Sequence, residues 1–223
     1  MFLSTHLTDE TKRLIAGFAD EDRKQIHDCC TSIIVLGQNR APIKKADINR
    51  HMMRTSNNIK QAIFNQASYE LNKTFGLRLY ELEDKARLLL VNSTVDFSGY
   101  ADHTEQTRQE LTVLFLILMD IFASADGKLA REELEATLAP LDLSQETLKN
   151  HIDSLIKKLY IVQHKEVAFQ QDNKLYVWGP RAMAEVDPDN FFKLFMDIVG
   201  QGTEADWPEQ KKRIDKLKAI PNR

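Results

Sequence analysis

The chain contains little cysteine, glycine or proline: two, eight and six residues respectively among 223. The adjacent Cys29 and Cys30 cannot form a disulfide framework, which favours a reducing compartment such as the nucleus or cytosol. The few glycines form neither a phosphate-binding motif (G-x-x-x-x-G-K-[ST] or G-x-G-x-x-G) nor a nucleophile elbow, G-x-S-x-G. The sequence therefore excludes the common nucleotide-binding and hydrolase motifs.

A long hydrophobic run is also missing. The most apolar stretch, Leu111 to Ala123, is interrupted by Thr112 and Asp120 and is shorter than the roughly 20 residues of a membrane span. Residues 1–19 lack the basic and apolar regions of a signal peptide. We therefore expect no membrane partner, and we interpret the apolar stretch as a buried core helix.

Metal-ligating residues are scattered. Structural zinc sites usually need two spaced ligand pairs, but the six histidines are dispersed and Cys29 and Cys30 form a single pair. Asp126-Gly127 and Glu133 have calcium-loop spacing, but Phe122 and Ser124 would then occupy liganding positions. We predict no metal, cofactor or catalytic residue, and we interpret the two cysteines as core residues.

The formal net charge of −3 gives no general reason to expect nucleic-acid binding, so a local basic patch would have to supply it. Six Lys and Arg residues occur from Gln38 to Lys60, against one acid, Asp47. A solvated helix face is an equally good interpretation of this segment.

The first half of the chain predicts three helices and a hairpin. Apolar residues recur at helical spacing, Gly37 and Gly76 are natural helix ends, and Ser56 or Asn57 can cap the third helix. The predicted helices are 22–36, 44–53 and 57–75, and the predicted strands are 77–82 and 87–91. Three helices followed by a hairpin describe a winged helix.

The second half repeats this order after a polar segment, 94–108. Its predicted elements are helices at 110–125, 131–138 and 145–159, then strands at 161–169 and 175–178. The predicted fold is mainly α with small β-hairpins (α+β), as tandem winged-helix domains. The predicted domains are an N-terminal extension 1–21, winged helix A 22–93, a linker 94–108, winged helix B 109–200, and a basic C-terminal tail or helix 201–223.

Five segments resemble the MAGE (melanoma-antigen) homology domain. They are Ala41 to Ile48 (APIKKADI), Leu71 to Leu77 (LNKTFGL), Leu89 to Asn92 (LLVN), the apolar stretch Leu111 to Phe122 and the 178–182 signature Trp178-Gly179-Pro180-Arg181-Ala182. The resemblance covers about residues 22 to 200. The sequence departs from the family pattern at Ala123 to Gly127, where an Asn-Gly turn is more common, and in a second wing that we expect to be short.

The resemblance implies a non-catalytic scaffold that docks a RING-type ubiquitin ligase through winged helix A and can stimulate it. The ancestral family member belongs to the Smc five-six chromosome-maintenance complex, which acts in DNA repair and recombination. There it joins a RING subunit and a kleisin subunit, contacts SMC subunits indirectly, and helps to hold double-stranded DNA. By analogy, we expect a nuclear, chromatin-associated protein of this type, with the kleisin on winged helix B.

The resemblance also implies a RING interface on the first predicted helix, at Ile33, Ile34 and Leu36. The alternative is that these side chains are simply core. A winged helix normally presents its third helix and wing to DNA phosphates. The corresponding cations are Lys149, Lys157, Lys158, His164, Lys165 and Lys174. Asp153 interrupts this set and can pair with Lys157, so we expect binding to be weak, sequence-independent and salt-dependent.

Two other functions stay open on the sequence. A MAGE adaptor outside the chromosome complex would bind a RING protein without a kleisin. A winged-helix transcription regulator would prefer one DNA sequence over random duplex. Ubiquitin transfer by the chain itself is disfavoured because Cys29 and Cys30 have no evident basic activator apart from His27.

Overall fold

A computed structural model describes residues 2–3, 6–50, 56–91, 105–168, 171–200 and 202–220. For 165–168 and 171–173 it describes the backbone only. The chain forms two compact units, one of residues 1–93 with 220–223 and the other of residues 94–219. None of the described helices is both long and apolar enough to span a bilayer.

The first unit contains the elements of winged helix A. They are α1 Asp9–Ala16, α2 Asp20–Gly37, β1 Ile43–Lys44, α3 Lys45–Asn49, α4 Asn57–Phe75, β2 Arg78–Glu81 and β3 Arg87–Val91. The strands form an antiparallel sheet in the order β1-β3-β2. The predicted N-terminal extension is part of this unit, because α1 packs on α4 and Phe2 is buried.

The core of winged helix A lies between α2, α4 and the sheet, and it includes both cysteines. The Cys30 thiol lies 3.6 Å from the Ala67 carbonyl oxygen, to which it donates. Burial raises the pKa of Cys29 to about 12 and that of Cys30 to about 11. Both thiols are therefore protonated at neutral pH, and the prediction that they are core residues is confirmed.

The second unit contains the elements of winged helix B (109–200) and a further α-helix after them. Its elements are α5 Glu105–Ala123, β4 Leu129–Ala130, α6 Arg131–Leu138, α7 Gln145–Lys157, β5 Ile161–Ala168, β6 Gln171–Trp178, α8 Pro180–Glu185, α9 Pro188–Val199 and α10 Pro208–Lys218. The sheet order is β4-β6-β5, again antiparallel. Ser144 and Asp187 cap α7 and α9, because each side chain accepts a hydrogen bond from a backbone N–H in the first turn of the helix that follows.

Both units therefore follow the order helix, strand, helix, helix, strand, strand, which confirms the tandem winged-helix fold. The expectation of a short second wing is wrong. β5 and β6 are eight residues each and pair from Ile161↔Trp178 to Ala168↔Gln171. The polar residues in the distal half of this hairpin break the apolar alternation from which strands are predicted.

The basic C-terminal segment forms a helix that packs on the rest of the unit. The side chains of Ile214 and Leu217 are buried, and α10 contacts α9. The Arg213 guanidinium donates to the Phe122, Ser124 and Ala125 carbonyl oxygens at 2.6–2.7 Å. Because the last carbonyls of a helix lack partners within it, Arg213 completes the end of α5.

Candidate partner and DNA surfaces

The signature Trp178 to Ala182 lies where β6 ends and α8 begins. The Gly179 N–H donates to the Tyr160 carbonyl oxygen at 2.7 Å, and the Arg181 N–H donates to that of Leu159 at 3.0 Å. A Cβ on Gly179 would lie only 2.2 Å from the Leu159 oxygen. The glycine is therefore required because the backbone that follows α7 passes too close for any side chain.

Arg181 and Glu185 of α8 form an ion pair inside winged helix B, with side chains 1% and 5% exposed. The Arg181 Nε donates to the Lys158 carbonyl oxygen at 2.9 Å. The Tyr160 hydroxyl donates to Glu185 Oε2 at 2.5 Å. The signature thus ties the end of α7 to α8, and it fixes the position of α7 relative to the sheet.

A groove of about 890 Å³ lies beside α7, between α6 and the β5–β6 wing. Leu148, Ile152 and Ile156 follow each other at four-residue intervals along α7 and are only partly buried. Tyr176 of β6 lines the same groove. The rim carries both charge signs, from Arg131, Glu135, Lys149, Asp153 and Lys174. The groove is therefore an apolar trough with a polar rim.

The three predicted RING-interface residues do not form one surface on α2. Ile33 is 0% exposed and belongs to the core, whereas Ile34 and Leu36 are partly buried against it. Successive helical residues are about 100° apart, so Ile34 and Leu36 lie on opposite flanks of the core-facing stripe. The exposed residue of this region is Val35, at 55%.

An outward stripe on α2 joins one predicted residue to Val35. The positions 31, 34, 35 and 38 share one helix face. Thr31 and Gln38 are exposed, Ile34 is partly buried and Val35 is the most exposed apolar side chain of α2. Ile34 is the one predicted interface residue on this outer stripe (Thr31, Ile34, Val35 and Gln38).

The predicted DNA-binding cations are in different surroundings. Lys149 and Lys157 are exposed on α7, with Asp153 one turn from each. His164 is exposed on β5, Lys174 lies on the groove rim, and the Lys165 side chain lies outside the described residues. Lys158 is paired with Glu110 of α5, which also accepts from the Ser154 hydroxyl. Lys158 therefore contributes little positive charge to the surface.

Two of the six cations in the basic segment of winged helix A are in ion pairs. Lys45 pairs with Glu81 of β2, and Arg50 pairs with Asp47 one turn earlier. Lys44 is exposed at the start of α3. These pairs favour the interpretation of this segment as a solvated surface. Within the described ranges, no group of three or more His, Cys, Asp or Glu side chains could hold a metal ion.

Comparisons with known proteins agree with this architecture. The model of the MAGE homology domain matches residues 32–110 and 88–189, and so spans both winged helices. A solved chain from a structure titled "Nse1-Nse3-Nse4 complex" superimposes with a TM-score of 0.75 at 19% identity, covering 87% of this chain and 99% of the other. That likeness shows the fold.

Two curated human proteins are also similar in sequence. The non-structural maintenance of chromosomes element 3 homolog is 23% identical over 189 residues, 80% of this chain and 61% of that protein. Melanoma-associated antigen B10 is 26% identical over 156 residues, 66% of this chain and 45% of that protein. The chain thus spans less than two thirds of the length of either relative.

Proposed function

The chain belongs to the MAGE homology domain family, and from this membership we propose that it is a non-catalytic scaffold subunit of the Smc five-six chromosome-maintenance complex. In this role it binds a RING ubiquitin ligase subunit through winged helix A and a kleisin subunit through winged helix B. It supports the activity of the ligase, reaches the SMC subunits indirectly, and acts in the nucleus on chromatin during DNA repair and recombination.

The observation that carries the proposal is the continuous family match across both winged helices, together with the similarity to the element 3 homolog. The solved chain of similar fold comes from a complex named for three different subunits, which supports an assembly role. The high pKa values of Cys29 and Cys30 support a non-catalytic role in ubiquitin transfer.

The RING subunit binds, in this proposal, to the outer stripe of α2. Ile34 and Val35 give this stripe an apolar centre, and the polar Thr31 and Gln38 flank it. Such a centre with a polar surround is typical of a protein interface. Ile33 has no place in it because its side chain is buried in the core.

We expect Val35→Glu to weaken binding of the RING subunit by about tenfold or more, because binding would bury an unpaired carboxylate, and every 1.4 kcal/mol is tenfold in affinity. Calorimetric titration with the recombinant RING subunit measures this change. Thr74→Glu adds the same charge to an exposed position of α4 and is the matched control. Equal affinities for both variants and the wild type would place the interface elsewhere.

The kleisin binds, in this proposal, in the groove beside α7. Leu148, Ile152 and Ile156 offer apolar contacts two turns in length, which suits an amphipathic helix with anchors three or four residues apart. The mixed charges of the rim suit a helix with both acidic and basic flanks. The groove thus provides a docking surface separate from the outer stripe of α2.

Ile152→Glu is expected to reduce kleisin affinity by about a hundredfold, since central anchors in apolar pockets carry most of the binding energy. The RING affinity should not change. Asn150→Glu, at an exposed position on another face of α7, is the control. Pull-down experiments with each variant measure binding of the RING subunit and of the kleisin subunit side by side. Kleisin binding by the Ile152 variant at wild-type strength would contradict the assignment of this groove.

The DNA contact in this proposal is weak and involves Lys149, Lys157 and the wing. We expect Lys157→Gln to lower duplex affinity and to reduce the slope of log affinity against log salt by about 0.9, the loss of one phosphate contact. Lys158→Gln combined with Glu110→Gln removes the neighbouring ion pair without changing the net charge, so it should change neither quantity. Fluorescence anisotropy with random duplex measures both quantities. Equal effects of Lys157→Gln and of this paired control would show that DNA does not bind through Lys157.

A second candidate function is that of a MAGE-type ubiquitin-ligase adaptor outside the chromosome complex, and the similarity to melanoma-associated antigen B10 supports it. In that case the outer stripe of α2 binds a RING protein and no kleisin occupies the groove. Binding of a kleisin by the purified chain separates the two functions.

A further inference from the structure

The wing of winged helix A is paired with a segment that precedes α1. In the sheet order β1-β3-β2, strand β2 is at the edge. Phe2 forms an antiparallel bridge with Tyr80 of β2, and the Leu3 N–H donates to the Leu79 carbonyl oxygen at 2.9 Å. The Phe2–Leu3 segment therefore lies along the outer edge of this strand.

The side chains of Phe2 and Leu3 both pack against other residues of winged helix A. The Phe2 ring is 1% exposed, meets the Tyr80 ring edge-on at 5.1 Å between centroids, and lies 4.2 Å from the Arg78 guanidinium carbon. Leu3 packs on the core and lines a cavity of about 350 Å³ beside Ile48 and Phe64. The segment thus covers the backbone edge of β2 and the apolar surface next to it.

The docked Phe2 ring lies over Arg78, a residue that is itself only partly buried. The Arg78 Nε is buried and has no hydrogen-bond partner among the described residues. Burial lowers the pKa of this guanidinium. The aromatic contact that holds Phe2 is therefore opposed by the loss of water at the Arg78 Nε, and release of Phe2 would return this atom to water.

An uncovered β2 would be an open edge with unpaired backbone N–H and C=O groups, and such edges can pair with edges of other chains. The strand can pair with itself: in an antiparallel pair centred on Tyr80, the Tyr80 ring of a second copy lies opposite Tyr80, where the Phe2 ring now lies. In that arrangement the Tyr80 ring of the second copy takes the place of the Phe2 ring. The Leu79 carbonyl oxygen, which now accepts from the Leu3 N–H, would accept from a backbone N–H of the second copy.

We propose that Phe2–Leu3 is an intramolecular strap that closes the outer edge of β2, and that a second copy of this chain pairs with that edge, β2 to β2, when the strap is released. The partner is a second copy because β2 itself carries the aromatic residue that the site accepts. This inference concerns an edge distinct from the outer stripe of α2 and is independent of the proposed function.

The test is the oligomeric state of the full chain carrying Phe2→Ala and Leu3→Ala together. We expect this variant to become a dimer as its concentration is raised, measured by sedimentation equilibrium, while the wild type stays monomeric. Leu14→Ala, at an exposed position of α1, is the control and should also stay monomeric. Adding Tyr80→Glu to the double variant should restore the monomer, because two like charges would then meet at the centre of the pair.

The buried thiols report whether winged helix A stays folded in these variants. Slow reaction of Cys29 and Cys30 with a thiol reagent indicates an intact core. A double variant with protected thiols that stays monomeric at every concentration overturns the proposal. Fast reaction of the thiols would mean that the double variant has lost its core. The single variant Phe2→Ala, which keeps Leu3, is then tested in the same way: a dimer supports the proposal, and a monomer at every concentration overturns it.

Discussion

Gly179→Ala is expected to lower the free energy of unfolding of winged helix B by about 3 kcal/mol, at the upper end of the range for overpacking. The new Cβ would lie 2.2 Å from the Leu159 oxygen and within 2.9 Å of backbone carbons of Leu159 and Tyr160. Backbone atoms cannot move aside as the end of a flexible side chain can. Denaturant unfolding followed by tryptophan fluorescence measures the loss, because both tryptophans, Trp178 and Trp207, lie in this unit.

The control for Gly179 is Gly200→Ala. Gly200 has a positive φ of 69° but no atom within 4 Å of a built Cβ, so its substitution tests backbone strain alone. We expect a loss of about 1 kcal/mol there. Gly179 has a φ of −83°, which any residue adopts, so its loss is entirely steric. Similar losses in free energy of unfolding at both positions would contradict the steric explanation of Gly179.

Arg181→Met is expected to destabilise winged helix B by about 3–5 kcal/mol, because it leaves the Glu185 carboxylate buried without its counter-charge. Glu185→Leu should have a comparable effect, since it leaves the Arg181 guanidinium unpaired. The double variant carrying both substitutions should be more stable than the sum of the single losses by about 2 kcal/mol or more, within the range measured for coupled neighbours. The same tryptophan-detected unfolding measures all three variants.

The Tyr160 hydroxyl limits how far the double variant recovers, because it loses its acceptor on Glu185. Tyr160→Phe added to the double variant should remove that remaining loss. Two results would contradict this explanation of the ion pair. One is a double variant whose loss in free energy of unfolding equals the sum of the two single losses. The other is a loss below about 1 kcal/mol for Glu185→Leu.

The signature of the family is thus structural in this chain. Gly179 and Arg181 tie the backbone after α7 to α8, and α7 carries Leu148, Ile152 and Ile156 into the groove. A loose α7 would change the shape of that groove. In the proposed function, the signature therefore supports partner binding indirectly, through the position of α7 beside the groove.

Helix positions and the fold were predictable from the sequence because they depend on local signals. Ser144 caps α7, and Gly76 ends α4 in the left-handed conformation with φ of 65°. Helical periodicity predicted α2, α4 and α6 within about two residues at each end, the usual uncertainty of helix boundaries. The family resemblance was confirmed by the match over residues 32–189.

The proposed partner surfaces were harder to predict. Helical periodicity identifies an apolar face, but it does not show whether that face packs against the core of the same chain or is open to a partner. The stripe on α7 has the same pattern whether it is core or groove, and the partial exposure of Leu148, Ile152 and Ile156 is visible only in the structure. On α2, Ile33 belongs to the core, whereas Val35 was not singled out although it is the exposed residue. An apolar residue opposite the core-facing stripe is the signal that could have identified it.

The buried ion pair could not be predicted for a similar reason. Arg181 and Glu185 are four residues apart, which in sequence is typical of a surface pair on a helix. The short helix α1 and the strap at Phe2–Leu3 were also missed, because each depends on contacts with α4 or β2 that are distant in sequence.

In the proposed function, this chain joins a RING ubiquitin ligase subunit to a kleisin. Purification of the endogenous protein at moderate salt, followed by mass spectrometry, identifies its stoichiometric partners. We expect a RING subunit, a kleisin and large SMC subunits in constant ratio to the chain. A RING protein alone would make the chain a ligase adaptor, and the absence of both a RING protein and a kleisin would contradict the proposed function.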